Sequence, residues 1–317
     1  MDLPSLAEIE RAAELIRPYL PITPVYAWPL LQKRLGTPTW VKHENHLPIG
    51  AFKVRGGLVY LHDFRSRFPT SPGVIAATRG NHGQSVAFAA RQYGIPARIV
   101  VPEGNSRDKN AAMQAWGAQL VIHGHDFQAA FEHAQHLCRT EGWHFVPSFH
   151  RTLVQGVATG ALEFFRAVPD LDIVYVPIGL GSTLCGSLAA RKALGLRMKV
   201  IGVSAARAAC YALSLAAGKP VSTERADTLA DGLAARVPDK DAFELIRAGV
   251  ERIVTVEEAE IEEAMRVYFS DTHNLAEGAG AAALAAVLKD GAKGQRVGLF
   301  LTGSNIDREL FLRILAK

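Results

Sequence analysis

The sequence predicts an α/β protein of two lobes, each a mostly parallel, twisted sheet flanked by helices. Short β-branched runs alternate along the chain with longer segments whose apolar residues recur at helical spacing. At 317 residues the chain exceeds what a single hydrophobic core of about 250–300 residues holds. Several runs end in glycine-rich turns that lead into helices, which is where parallel sheets bind ligands.

The strand candidates, in order, are 74–77, 98–101, 119–122, 173–176, 199–203, 252–256 and 297–301. Between them, residues 85–93, 127–139 and 257–269 carry apolar side chains on one helical face. Strand, helix, strand in repetition demands parallel sheets covered by helices on both faces. No linker, low-complexity tract or internal repeat marks a boundary between the lobes.

Composition narrows the function classes. Hydrophobic residues make up 49% and charged residues 21%, which excludes a disordered chain. The formal charge is only +4, with no basic stripe interleaved with aromatics, so no nucleic-acid partner is expected. Cys138, Cys185 and Cys210 are widely spaced and odd in number, which fits a reducing compartment and no disulfide framework. The N-terminus lacks the features of a signal peptide, and the apolar run 278–288 is far short of the ~20 residues a membrane span needs. A cytoplasmic enzyme with no membrane partner is the expectation.

Four segments carry chemistry. In Glu44-Asn45-His46-Leu47-Pro48-Ile49-Gly50-Ala51-Phe52-Lys53, a single lysine follows a proline- and glycine-broken loop at a helix start. A lysine amine kept partly dry in such a turn can lose its proton and attack a carbonyl. Gly179-Leu180-Gly181-Ser182-Thr183 follows a strand and has the makings of a phosphate cradle, with inward N–H groups, hydroxyl donors and a helix start. Leu184 breaks a dinucleotide fingerprint and Ser187 stands where a P-loop needs lysine, so a single phosphate fits better than a nucleotide. Thr78-Arg79-Gly80-Asn81-His82 and Thr302-Gly303-Ser304-Asn305 close two further strands. On local grounds Asn81 would cap a helix.

Together these segments resemble the motifs of pyridoxal-phosphate (PLP) enzymes of the threonine dehydratase and serine racemase family, of fold type II. The likeness runs from about Thr23-Pro24 to Asn305, with support from Thr228–Leu233 and Glu277–Ala281. It implies that Lys53 carries the cofactor as a Schiff base, with Phe52 beside it. It implies that Gly179, Leu180, Gly181, Ser182 and Thr183 hold the phosphate, that Asn81 bonds the cofactor's 3′-oxygen, and that the Thr302 hydroxyl faces the pyridine nitrogen. Thr78, Arg79, Gly80, Asn81 and His82 would form the substrate loop, with the Thr78 hydroxyl and backbone amides on the substrate carboxylate. Residues 1–49 with 151–317 would form a large PLP-binding domain, and 50–150 a small inserted one. The chain ends fifteen residues after Thr302, so no added regulatory domain is expected.

The activity implied is a dehydratase (ammonia-lyase) acting on a β-hydroxy L-amino acid of threonine or serine type, in a homo-oligomer, a dimer. Alternatives are the same elimination on a bulkier or acidic substrate (phenylserine or 3-hydroxyaspartate type), a β-replacement synthase, or a non-catalytic PLP or amino-acid binding protein. Three departures matter. Ala51 stands where many relatives have serine. Arg79 occupies the position of the racemases' second acid/base, and a guanidinium is a poor proton acceptor, so little racemase activity is expected. Residues 204–221 contain no Asp or Glu, so the divalent-cation site of some relatives is not expected there. His123, His125, Asp126, His133 and His136 form a second conceivable metal cluster, but they read better as partly exposed histidines beside a helix cap.

Overall fold

The computed structural model describes residues 1–317. The chain starts with α1 (Leu6–Ile16), whose capping box pairs Ser5 Oγ with the Glu8 N–H and the Glu8 carboxylate with the Ser5 N–H. Next come β1 (Val25–Tyr26), α2 (Pro29–Leu35) and β2 (Thr39–His43). A short 3-10 turn over Glu44–His46 leads into α3 (Lys53–Arg67). A second unit follows: β3 (Val74–Ala77), α4 (Asn81–Tyr93), β4 (Ala97–Val101), α5 (Arg107–Ala115), β5 (Gln119–Ile122), α6 (Phe127–Glu141) and β6 (His144–Phe145). The chain then returns through α7 (Arg151–Ala167), β7 (Ile173–Pro177), α8 (Ser182–Ala193), β8 (Lys199–Ala205), α9 (Cys210–Ala217) and α10 (Lys240–Gly249). It ends with β9 (Arg252–Val256), α11 (Glu258–Thr272), α12 (Gly278–Asp290), β10 (Val297–Leu301) and α13 (Arg308–Leu315).

Two sheets result. One has six strands in the order β1-β2-β10-β7-β8-β9, parallel throughout except for the antiparallel β1–β2 edge. The other has four parallel strands in the order β5-β4-β3-β6. Every residue of β3, β7 and β10 is buried, as expected of strands covered by helices on both faces.

Strand order fixes where ligands can bind. The return strand β10 lies between β2 and β7, and its last residue Leu301 pairs with His43, the last residue of β2. The loops after β2, β10 and β7 therefore leave the sheet side by side, which is the crevice where open parallel sheets bind ligands. Helix α7 ties the two sheets together by packing on both α3 and α8. That contact requires glycine at position 156, since a Cβ there would sit 2.4 Å from the Arg55 carbonyl oxygen. Ile16, Leu20, Leu47 and Ile49 pack into the same apolar cluster as the helices and strands of the four-stranded sheet.

No helix is long and apolar enough to cross a membrane. All three cysteines are free thiols.

Candidate active site

Lys53 is the first residue of α3 and only partly exposed, with its Nζ 5.0 Å from the centre of the Phe52 ring. Burial pulls its amine down to about 8, against an opposing pull from the Glu277 charge. The loop before it is sewn to the segment after β10. Phe52 N–H donates to the Thr302 carbonyl at 3.0 Å, Ser304 N–H donates to the Gly50 carbonyl at 2.9 Å, and Ala51 bridges Gly303. On its other side, α3 is held by Ser85 of α4, whose hydroxyl donates to the Lys53 carbonyl at 2.7 Å.

Beneath this turn lies a mostly buried group of charges. Arg55 reaches Glu44 at 2.7 and 3.0 Å and Glu163 at 2.8 Å through two nitrogens, and completes its donors on Thr159 and Thr23. Lys42 Nζ bonds Glu163 at 2.5 Å and the Thr23 carbonyl at 2.9 Å. Two cations meet two carboxylates, so the cluster is neutral. Burial works against the Arg55 charge, yet Glu44 and Glu163 hold its pKa above the usual value.

The substrate-loop candidates sit at the end of β3. Thr78 is buried and its hydroxyl accepts from Gly80 N–H at 3.1 Å. His82 is buried with Nε2 facing the Val146 carbonyl at 3.2 Å, and burial with the Lys53 charge nearby pulls it down to about 4, so it is neutral. Asn81 corrects the capping expectation. Gly80 is the N-cap, Asn81 is the first helical residue, and no side chain caps α4. The Asn81 side chain turns outward instead, donating to Glu277 Oε1 at 2.7 Å and accepting from Asn305 Nδ2 at 2.7 Å. Arg79 is exposed and makes no ion pair.

Gly179–Thr183 runs from β7 into α8. Gly181, the N-cap, has φ 99°, a left-handed backbone that favours glycine, and no side chain caps the helix. The N–H groups of the first turn are thus free for an anion, with the largely buried Ser182 and Thr183 hydroxyls beside them. Gly179 cannot carry a Cβ, because it would lie 2.1 Å from the Gly232 carbonyl. The Tyr211 hydroxyl steadies the loop from outside by donating to the Leu180 carbonyl at 2.9 Å. Thr302 is buried, with its hydroxyl 3.4 Å from the Ala279 carbonyl, too long for a strong bond.

A polar cleft of about 270 Å³ opens beside this assembly, lined by Arg79, Ser106 and Lys109 on one side and Asp231, Glu277 and Asn305 on the other. Of the residues predicted from sequence, only Arg79 lines it. Glu277, at the foot of α12, was noted only as part of a supporting motif. Burial pushes its carboxyl up to about 7, while Lys109, Asn81 and Lys53 pull the other way and Asp231 adds to the rise. No cluster of His, Cys, Asp and Glu could hold a metal; His133 stacks between His123 and His136, with the His123 and His133 rings 3.8 Å apart.

Fold and site together define an enzyme that keeps a reactive amine in the crevice of a parallel sheet, beside an uncapped helix start suited to one phosphate. Known proteins give the same class. Residues 16–303 match the family described as "Pyridoxal-phosphate dependent enzyme", and the chain belongs to that family. It is 34% identical over 315 residues to the L-threonine ammonia-lyase of Thermotoga maritima, covering 99% of this chain and 78% of that protein. It is 32% identical over 318 residues to an L-threo-3-hydroxyaspartate ammonia-lyase of a Pseudomonas species, covering 99% of both. The chain spans only 56% of the longer biosynthetic threonine dehydratases such as that of Escherichia coli. Maize serine racemase superposes with a TM-score of 0.92 at 25% identity, over 99% of this chain and 98% of that one.

Pyridoxal phosphate is the cofactor, and the residues present fit it. The lysine amine is free of hydrogen bonds, the cradle before α8 excludes side chains at its glycines, and the helix start is uncapped.

Proposed function

We propose that this chain is an ammonia-lyase that converts a β-hydroxy L-amino acid of threonine or serine type to a 2-oxo acid and ammonia. One observation carries the reading: the Lys53 amine is desolvated to a pKa of about 8 where the loops after β2 and β10 join. Such an amine is partly neutral near pH 7 and can accept a proton, whereas an ordinary surface lysine cannot.

Bound pyridoxal phosphate supplies an electron sink for the bonds at the substrate's α-carbon. In this reading the Lys53 amine first anchors the cofactor and, once free, removes the α-proton. The α8 N–H groups with Ser182 and Thr183 hold the phosphate. The Thr78 hydroxyl and the N–H groups at the start of α4 bind the substrate carboxylate, which fixes the α-proton towards Lys53. Thr302 would offer the ring nitrogen a hydroxyl in place of a carboxylate, and a neutral donor would make the bound group a weaker electron sink. Such a sink would suit prompt loss of the β-hydroxyl as water. Water lost at the β-carbon is regained when the product hydrolyses, so the net products are one 2-oxo acid and one ammonia. Arg79 cannot serve as a second base, which leaves little racemisation.

The reading includes a lobe division at residues 50 and 150, supported by the four-stranded sheet lying wholly within 74–145. It also includes a homodimer working in the cytoplasm; sedimentation of the purified protein tests the dimer.

A second substrate reading is the acidic 3-hydroxyaspartate type. The unpaired Arg79 guanidinium on the cleft rim favours it, as does the full-length likeness to an ammonia-lyase of that name. The deciding experiment titrates L-threonine, L-serine, phenylserine and L-threo-3-hydroxyaspartate into the purified holoenzyme, following cofactor absorbance and 2-oxo acid release. Lys53→Ala should abolish both the lysine-linked absorbance and turnover. Retention of either sinks the assignment of Lys53, and turnover that requires an added thiol or amine would replace elimination by β-replacement.

A further inference from the structure

The amides around Asn81 form a chain whose polarity is dictated from one end. Asn305 Nδ2 lies 2.8 Å from the Ile49 carbonyl and 2.7 Å from Asn81 Oδ1. A backbone carbonyl can only accept, so Asn305 must turn its NH2 group towards Ile49. Its second N–H then meets Asn81, which must answer with its oxygen. The Asn81 NH2 group is thereby turned away from Asn305 and gives one N–H to Glu277 Oε1 at 2.7 Å. Glu277 is an acceptor at that oxygen whether ionised or protonated on Oε2, so the direction of the chain survives its titration. Neither asparagine can flip without setting like dipoles against each other.

One hydrogen of the Asn81 amide remains without a partner, at a half-buried position beside Glu277, whose charge reaches Lys53. We propose that Asn305 and Glu277 are positioning residues, which lock the Asn81 amide so that its free N–H points a single donor at an acceptor oxygen of the bound cofactor. The relay starts at Ile49, four residues before Lys53, so the loop that delivers the amine also sets the donor's direction. The inference rests on the proposed role of Asn81 and adds to it the residues that decide which end of that amide the cofactor meets.

Asn305→Asp tests the relay directly, because a carboxylate at 305 would face the Ile49 carbonyl with lone pairs and reverse the demand on Asn81. Glu277→Gln can still present an oxygen to Asn81 and is the conservative control, and Glu277→Ala removes the acceptor. Three quantities are read: the cofactor Kd of each apoprotein by absorbance titration, the pH midpoint of the bound cofactor's absorbance, and the apoprotein Tm.

The expectation is a cofactor Kd raised about tenfold or more in Asn305→Asp and Glu277→Ala, the effect of losing one directed bond to a charged acceptor of ~1.5–3 kcal/mol. The absorbance midpoint should move in both, and Glu277→Gln should stay within about threefold of the parent. Unchanged Kd and midpoint in Asn305→Asp and Glu277→Ala, with Asn81→Ala impaired, overturns the relay while leaving Asn81 in its role. An unimpaired Asn81→Ala overturns both. A fall in apoprotein Tm with neither cofactor quantity altered reduces Asn305 and Glu277 to structural residues and also overturns the proposal. Should Asn305→Asp fail to fold, Asn305→Ser, which keeps a donor for Ile49 but cannot reach both partners, replaces it with the same expected signs.

Discussion

The charges beneath α3 and the charges in the neighbouring cleft differ in how completely they are satisfied. In the first group every N–H of the Arg55 guanidinium has an acceptor, and Lys42, Glu44 and Glu163 close the set without surplus charge. In the second, Glu277 is buried against an amide, not a cation, Arg79 is unpaired, and Lys109 reaches Asp231 across the cleft. The first arrangement meets each charge with an opposite one and holds the backbone still. The second keeps donors, acceptors and a carboxyl near neutrality, which is what binding and proton transfer require. A rigid, saturated base beneath Lys53 and an unsaturated wall beside it are thus two uses of the same residue types.

The largest expected effect comes from breaking the saturated group. Arg55→Met would strand the buried Glu44 carboxylate, with Glu163 left to Lys42 alone, at a cost of about 3–5 kcal/mol. Urea unfolding of the apoprotein measures this without involving catalysis. A cost under about 1 kcal/mol would mean that Glu44 and Glu163 find water or protons easily, and the contrast between the two groups would fail.

Glu277 gives the next effect, and its sign is opposite to that of a salt-bridged carboxylate. Its folded pKa of about 7 lies above the ordinary value of 4.5. Between those values the folded state holds a proton that the unfolded state has lost, so stability falls as pH rises from 4.5 through 7. The loss amounts to roughly 3–4 kcal/mol, from ~1.4 kcal/mol per pKa unit. Glu277→Gln should remove that slope, so apoprotein Tm measured at pH 5 and at pH 8 should differ less in the variant than in the parent. Parallel pH profiles would show that Glu277 is ionised throughout.

Sequence made the framework legible but not these partnerships. The seven strands expected from β-branched runs all appear, and the helix after the proline- and glycine-broken loop begins at Lys53. Strand β2 passed unread because Lys42 and His43 are polar yet fully buried, and such residues break the apolar pattern by which strands are recognised. Edge strands β1 and β6, of two residues each, are too short to leave any pattern. The site segments were visible because each is local, a few residues long and tied to one turn. What joins them is not local. Arg55 meets Glu163 from 108 positions away and Asn305 meets Asn81 from 224, and no periodicity records such pairings. The same distance explains the misread Asn81: on local grounds an asparagine at a helix start caps it, and only the arrival of Glu277 and Asn305 draws the amide outward.

The smallest effect sharpens the comparison most. Lys109 and Asp231 form a 2.6 Å ion pair between α5 and the 3-10 turn Asp231–Leu233, with the aspartate side chain 44% exposed. Water already solvates half of that pair, so Asp231→Asn should cost at most about 1 kcal/mol. The cost should shrink further in high salt, where the screening length drops below ~10 Å. The Arg55→Met penalty, arising from mostly buried charges, should change far less with salt. Yet Asp231→Asn should act where Arg55→Met does not. Removing that negative charge leaves Lys109 to Glu277 and Asp307, and both changes favour the Glu277 carboxylate. The stability loss attributed to Glu277 should therefore be complete at lower pH and be smaller in Asp231→Asn than in the parent. An unaltered pH profile would mean that the cleft charges do not communicate, and that Glu277 is held up by burial alone.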